Sequence, residues 1–175
     1  MARFALSLLA ASSLALAACA TRPPIPIETA RPAFAIERDL IGRTTATGEF
    51  SAINGVKRRF TATLDGKMEG QTLILREEFA YADGERDLKT WRLTPLGGGE
   101  WRGTREDVVG EARGYLDGDA FRLEYLIDLP QKGKNPLRLR FKDVLVRTSS
   151  GAVLNKAIVS KYGFPVGRVE LLISR

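Results

Sequence analysis

The apolar residues of this chain are spaced in a way that predicts β-strands separated by tight turns. In "AFRLEYLIDL", residues 120–129, every second residue from Phe121 to Leu129 is apolar. The stretch "PLRLRFK", residues 136–142, alternates in the same way. A period of two is typical of a strand with one buried face. The basic row of the second stretch fits either an anion-binding surface or an ordinary solvated face.

Turn signals recur along the chain from residue 54 onward. Asn54-Gly55 and Asp65-Gly66 are the strongest, because such pairs supply the positive φ that a short hairpin loop requires. Weaker signals follow at Asp83-Gly84, Gly97 to Gly99, Asp117-Gly118, Pro130 to Pro136, Ser149 to Gly151 and Gly163 to Gly167. Only Leu154 to Tyr162 offers a serious helical alternative. The pattern predicts an all-β fold, an antiparallel meander of about eight to ten strands that closes as a barrel, with two packed sheets as the alternative.

Residues 1–18 have the features of a bacterial export signal. Arg3 precedes an apolar run from Phe4 to Leu16, and Ala17 and Ala18 are the small residues that a signal peptidase requires. The apolar run is shorter than the ~20 residues that span a bilayer. We therefore expect a cleaved signal rather than a transmembrane helix.

The end of this signal, Leu16-Ala17-Ala18-Cys19, resembles the lipobox of bacterial lipoproteins. The resemblance implies that Cys19 is the lipid attachment site, and Ala20 after it implies sorting to the outer membrane, facing the periplasm. An ordinary signal with an incidental cysteine is the alternative. Residues 19–33 contain four prolines and no hydrophobic periodicity, which predicts an extended tether between Cys19 and the body. Residues 34–175 remain as a single β-barrel domain.

Composition excludes several classes of site. The chain has no histidine and one cysteine, so a Ser-His-Asp triad, a Cys-His pair and a His-ligated zinc site are excluded. The formal net charge of +6 fits attraction to anionic lipid surfaces, since an exported protein does not normally meet nucleic acid. We expect neither an enzyme nor a bound cofactor or metal. Only carboxylate or lysine chemistry would be available for catalysis.

The hairpin around Asp83-Gly84 places charged residues on an apolar face. Glu77 shares one face of the first strand with Leu73, Leu75, Phe79 and Tyr81. A three-residue loop with a bulge would add Lys89, Trp91 and Leu93 to that face, whereas a two-residue loop would add Thr90 and Arg92. The three-residue loop is the better match, because it places apolar residues of both strands on the same face. We therefore expect Glu77 to point inward and to pair with Lys89 diagonally across the hairpin.

The stretch "VVGEARGYL" places Gly110, Ala112 and Gly114 on one face. Small residues that face inward leave interior volume, which is either a ligand cavity or space filled by large side chains from other strands. Aromatic residues elsewhere could line or plug such a space: Phe60, Phe79, Tyr81, Trp91 and Tyr125. The candidate ligand-binding residues are Glu77, Phe79, Tyr81, Lys89, Trp91, Gly110, Ala112, Gly114 and Tyr125.

Several motifs together resemble domain-of-unknown-function family 3833, which groups bacterial lipoproteins. They are Gly48 to Phe60, Glu77-Glu78-Phe79, Tyr81 to Glu85, Val109 to Ala112 with Gly114, Asp143, Asn155-Lys156-Ala157 and Lys161-Tyr162-Gly163. The resemblance implies a lipocalin-like (calycin-like) barrel on a lipoprotein and names no activity. Two functions compete: a carrier whose barrel binds a fatty acid or other apolar ligand, and a non-catalytic accessory lipoprotein whose packed barrel binds a protein partner. An enzyme that uses Glu77, Glu78 or Lys89 is a third hypothesis.

Overall fold

The computed structural model describes residues 22–27 and 32–175. The predicted signal, residues 1–18, and the predicted lipid attachment site Cys19 lie outside the described residues. Within the described ranges, no helix has the length and apolar character needed to cross a bilayer.

The described chain forms a closed, ten-stranded antiparallel barrel. Each strand pairs with its neighbours in the sequence, and the first strand pairs with the last, so no sheet edge is left open. The predicted all-β meander and its closure as a barrel are both confirmed. The elements are α1 (Ile36–Asp39), β1 (Gly42–Ala52), β2 (Lys57–Glu69), β3 (Thr72–Tyr81), β4 (Arg86–Gly97), β5 (Glu100–Thr104), β6 (Ala112–Asp117), β7 (Ala120–Gln131), β8 (Lys134–Arg147), β9 (Val153–Lys161) and β10 (Phe164–Ser174).

Alternation along the strands decides which side chains fill the interior. On β7, Phe121, Leu123, Tyr125 and Ile127 are all buried in one core cluster. Leu139 on β8 is buried opposite them, with Leu137 and Phe141 packed against the same cluster. The two strands that alternate most clearly in the sequence are therefore neighbours that share a core.

One local prediction is wrong, and the helical alternative for one stretch is excluded. Asp65-Gly66 does not form a turn, because β2 continues through both residues to Glu69. A Cβ on Gly66 would lie 1.7 Å from the Leu40 carbonyl oxygen, so glycine is needed there for close approach of the chain after α1. The stretch Leu154 to Tyr162 is not a helix but falls mostly within β9.

The two ends of the barrel differ. Helix α1 and its flanks cover one end, where Phe34, Ile36 and Leu40 are buried and the Phe34 ring lies 6.0 Å from that of Phe121. We call this the closed end. The other end, here the open end, carries the β1–β2, β3–β4, β7–β8 and β9–β10 turns and the longer β5–β6 connection, residues 105–111. The meander makes this division inevitable, because alternate turns lie at opposite ends.

The described part of the predicted tether contacts the outer wall of the barrel. Arg22 Nη2 lies 2.8 Å from Glu124 Oε1, and Arg122 Nη1 donates a 2.6 Å hydrogen bond to the Pro23 carbonyl oxygen. Ile25 packs on a small second core cluster nearer the closed end, formed by Ala120, Val144 and Val146. Residues 22–27 therefore lie along β7 and do not add free length to a tether.

Candidate functional site

A cavity of about 280 Å³ lies in the open half of the barrel interior. Six of the predicted site residues line it, together with other apolar and polar side chains. These six are Glu77, Phe79, Tyr81, Lys89, Trp91 and Tyr125. Below the cavity, toward the closed end, the barrel is packed with buried side chains such as Leu73, Leu93 and Phe121.

Aromatic rings form much of the cavity wall. Phe60, Phe79 and Tyr81 form a group in which ring centroids are 5.7 to 6.2 Å apart. On the other side, the Tyr125 ring stacks on Phe141 at 5.3 Å. Rings at these separations pack favourably and present an apolar surface to the cavity.

The β3–β4 hairpin has the predicted loop and register. Tyr81 N–H donates to the Glu85 carbonyl oxygen, which leaves Ala82, Asp83 and Gly84 as a three-residue loop. Gly84 has φ 90°, the left-handed conformation that a bulge of this kind requires. Glu77 and Lys89 are directly opposite each other rather than diagonal.

The ion pairs of these two residues differ from the prediction. Lys89 Nζ lies 3.1 Å from Asp87 Oδ2 and 3.7 Å from Asp107 Oδ2. Glu77 instead faces Arg105, whose Nη1 is 3.8 Å from Glu77 Oε2. Glu77 is buried as expected, but its basic partner is Arg105 and not Lys89. Arg105 takes this position because its guanidinium reaches the interior from the end of β5, which β4 separates from β3, while Lys89 is held by Asp87 and Asp107 nearer the open end.

Arg105 is fixed on several sides. Its guanidinium lies 4.7 Å from the centroid of the Trp91 ring and 5.4 Å from that of Tyr125. Its Nε donates a 2.7 Å hydrogen bond to Asp107 Oδ1. Burial alone would lower the pKa of Arg105, but its interactions with Tyr125, Glu77 and Asp107 raise it, so the guanidinium stays protonated. It is the fixed positive charge of the cavity floor.

A second buried carboxyl group, Asp143, completes the floor. Tyr125 donates its hydroxyl hydrogen to Asp143 Oδ2 at 3.3 Å, and Asn155 Nδ2 lies 3.5 Å from the same oxygen. Three buried oxygens of described residues that line the cavity have no hydrogen-bond partner: Glu77 Oε2, Asp143 Oδ1 and Asn155 Oδ1. Buried acceptors of this kind are costly unless something donates to them.

Both carboxyl groups have strongly raised pKa values. Burial raises the pKa of Glu77 to about 7, the Arg105 charge opposes this, and the Asp143 charge adds to it. Burial likewise raises the pKa of Asp143 to about 7, against the hydrogen bond from Asn155 and the Arg105 charge. Near neutral pH each group therefore exists in both forms and can either donate or accept a hydrogen bond.

The predicted small-residue wall does not border the cavity. Gly110 precedes β6, is exposed and has φ 72°, so it is not part of an inward face. Ala112 and Gly114 do point inward, but large side chains fill the space beside them. A Cβ on Gly114 would lie 2.5 Å from Phe121 Cζ and 3.0 Å from Trp101 Cβ. The space beside these small residues is therefore filled by large side chains from other strands and is not a ligand cavity.

Sequence reasoning missed the polar residues that come from other strands. Asp143 continues the alternation Leu137, Leu139, Phe141 by one step, and this signal was available in the sequence. Arg105 continues Trp101 and Gly103 in the same way, but it follows a strand of only five residues. Asn155 gave no signal beyond its place in the family motif.

Other features of the described chain are weaker candidates for a functional site than the interior cavity. A larger concavity of about 860 Å³ lies on the outer wall of β1 to β4, lined by outward-facing residues such as Thr45, Thr61 and Arg76. It contains none of the unpartnered buried oxygens. Among residues 22–27 and 32–175, no group of three or more Asp, Glu, His or Cys side chains is placed to hold a metal ion.

Comparison with known proteins agrees with the barrel architecture. The fold is similar to that of an S-type phycobiliprotein lyase from Guillardia theta, with a TM-score of 0.58 and 8% sequence identity. The match covers 77% of this chain and 87% of the lyase. At this identity the likeness shows a shared lipocalin-like fold. No curated protein matches the sequence. The model of the family described as "Protein of unknown function (DUF3833)" matches residues 13–175, nearly the whole chain, and the chain therefore belongs to that family.

Proposed function

We propose that this protein is a lipid-anchored envelope lipoprotein whose barrel binds an apolar ligand through the open end. The observation that carries the proposal is the cavity itself, with aromatic walls and a polar floor that includes unpartnered acceptors. Such a combination of apolar lining and a few convergent polar groups is typical of ligand sites. Anchoring at Cys19, in the outer membrane and facing the periplasm, is the other part of the proposal and rests on the lipobox.

The size of the cavity limits the ligand. From Glu77 at the floor to Tyr81 near the mouth there are four residues of β3, which is at most about 13 Å at the usual strand rise. The volume of about 280 Å³ is at the small end of typical ligand pockets. An alkyl chain of moderate length fits such a space, and a longer one would extend through the open end.

The floor favours a ligand end that is neutral and forms hydrogen bonds. Glu77 and Asp143 are both acidic, and the positive charge of Arg105 is already opposed by Asp107. A fatty-acid carboxylate would add a further acidic group to this floor, whereas a hydroxyl can donate to the unpartnered carboxyl oxygens. We therefore expect a fatty alcohol to bind more tightly than the fatty acid of the same length.

The test uses fluorescence of Trp91, which lines the cavity. The chain has two tryptophans, so Trp101→Phe leaves Trp91 as the single indole. Bromine-labelled dodecanol and bromine-labelled dodecanoate quench a nearby indole by heavy-atom contact. We expect saturable quenching in the micromolar range, with dodecanol binding more tightly at neutral pH.

A pair of matched variants separates cavity binding from binding elsewhere. Ala157 lines the cavity, so Ala157→Leu should block quenching. Ala80 lies on the outer wall of β3, and Ala80→Leu should leave quenching unchanged. If neither ligand quenches Trp91, or if both variants bind equally, the carrier function is wrong and the accessory lipoprotein with a protein partner takes its place.

A further inference from the structure

The open end of the barrel carries exposed apolar side chains from neighbouring turns. Ile53 is 76% exposed, Tyr162 is 89% exposed and Phe164 is 75% exposed, and Val56 and Leu129 are also exposed. The β1–β2 and β9–β10 turns are adjacent, because the Ile53 N–H donates to the Val166 carbonyl oxygen at 3.0 Å. We call Ile53, Val56, Leu129, Tyr162 and Phe164 the open rim. Exposed apolar side chains grouped at one end of a barrel in this way point to an interaction site, whereas scattered single ones do not.

Tyr162 occupies a backbone position that is unusual for its residue type. The β9–β10 turn consists of two residues, Tyr162 with φ 51° and Gly163 with φ 86°. Turns with two positive φ values normally contain asparagine, aspartate or glycine, because a bulky side chain is strained there. A tyrosine in this position gains nothing from burial inside the barrel, since its side chain points into solvent.

Basic residues surround the open rim on the β1–β2 and β7–β10 side. Lys57, Arg59, Lys132, Lys134 and Arg168 are exposed there. Glu49 is paired with Lys57 and Arg59 on this side. The acidic pair Asp83 and Glu85 belongs to the β3–β4 turn and is bound to Arg58. An apolar surface bordered by lysine and arginine is complementary to an anionic bilayer, which offers both acyl chains and negative head groups.

The path of the N-terminal segment points the same way. From Ile25 back to Arg22 the chain runs along β7 from the level of Ala120 toward that of Glu124, in the direction of the open end. Cys19 is three residues before Arg22 in the chain, a separation of at most about 11 Å. An anchor at Cys19 would therefore hold the barrel wall close to the bilayer and not tens of ångströms away from it.

We propose that the open rim docks on an anionic lipid bilayer, so that the mouth of the cavity faces the membrane. The rim inserts its apolar side chains among the lipids while the surrounding lysines and arginines contact the head groups. The proposed lipid anchor would bring the barrel to the membrane, but the open rim would bind lipid without the anchor as well. A ligand could then pass between bilayer and cavity without crossing water.

The test is co-sedimentation of residues 22–175 with lipid vesicles. This piece contains every described element of the closed barrel and lacks Cys19, so a failure of docking and a failure of anchoring are distinguishable. One set of vesicles contains phosphatidylethanolamine with phosphatidylglycerol, and the other contains phosphatidylcholine alone. We expect binding to the anionic vesicles, weakened by added salt, because screening shortens the range of the attraction.

A rim variant and a matched control make the result specific. Tyr162→Asn combined with Phe164→Ser should weaken binding by about tenfold or more, since interfacial binding scales with buried apolar area. Asparagine suits the turn, so this variant should melt at or above the wild-type temperature. The control, Leu96→Ser with Leu116→Ser, alters residues that are 61% and 54% exposed near the closed end and should bind like wild type.

Either of two results overturns the proposal. One is that the rim variant binds anionic vesicles as well as wild type does. The other is that the wild-type barrel binds neither set of vesicles, in which case the rim is a surface for a protein partner.

Discussion

Glu77→Gln is expected to change the stability of the protein in a way that depends on pH. Glu77 is buried, and burial raises its pKa from 4.5 to about 7. Between these two values the folded protein binds more protons at this position than the unfolded chain does. Its contribution to stability is therefore fully present below the unfolded value and is lost as the pH rises through about 7. Glutamine has nearly the shape of the protonated carboxyl group and cannot ionise.

The magnitude follows from the pKa difference. At about 1.4 kcal/mol per pKa unit, ionising Glu77 in the folded state costs roughly 3 kcal/mol relative to the unfolded chain. The variant should be within about 1 kcal/mol of wild type near pH 5, and up to about 3 kcal/mol more stable near pH 8. For a chain of this size that corresponds to a melting temperature higher by ~6–12 °C.

The assay is thermal unfolding followed by circular dichroism across this pH range. The chain contains no histidine, so no side chain with an ordinary pKa changes charge in the same window. Asp143 is the exception, because its pKa is raised to about 7 for the same reason. We expect Asp143→Asn together with Glu77→Gln to remove most of the remaining pH dependence.

Glu78→Gln is the matched control. Glu78 is the next residue on β3, points outward and pairs with Arg76 on the surface. Its substitution should leave the pH profile unchanged. The reasoning is refuted if the melting temperature of wild type is the same near pH 5 and near pH 8. It is also refuted if the melting temperature of Glu77→Gln falls with pH as steeply as that of wild type.

Two further changes test other parts of the molecule. Cys19→Ser should abolish acylation, because a hydroxyl cannot replace the thiol in forming the thioether; metabolic labelling with detergent partitioning checks this, and a variant that stays acylated would end the lipoprotein interpretation. Gly114→Ala should destabilise the barrel by ~1–3 kcal/mol in denaturant unfolding, because the new methyl group meets the buried ring of Phe121. Wild-type stability for Gly114→Ala would mean that this wall is not packed.

Local sequence pattern predicted the strands and one register well. Alternation in the β7 stretch identified buried residues from Phe121 to Ile127, and the bulge at Gly84 fixed which side of β4 faces inward. Both depend on neighbouring residues only. The turn predicted from Asp65-Gly66 was wrong, because Gly66 is required by close contact with the carbonyl group of Leu40. That contact is made only in the tertiary structure.

The polar floor was harder to predict because its members come from separate strands. The sequence of one hairpin predicted that Glu77 and Lys89 share the inner face, but the position of Arg105 relative to Glu77 depends on how side chains from non-adjacent strands meet inside the barrel. The choice between a cavity and a packed interior is also tertiary. Gly114 leaves space that Trp101 and Phe121 fill, whereas no side chain in the described part of the chain fills the space above Glu77 in this way.

The cost of the buried carboxyl groups bears on what the cavity is for. A barrel that served only as a packed scaffold would gain stability from apolar residues at positions 77 and 143, since a buried ionic group is often less stabilising than a well-packed apolar one. Arg105 does not account for both acids, because it already pairs with Asp107 and lies 3.8 Å from Glu77. Their unpartnered oxygens face a cavity with aromatic walls, where a ligand could donate to them. A ligand that did so would recover part of the stability that the two buried carboxyl groups cost.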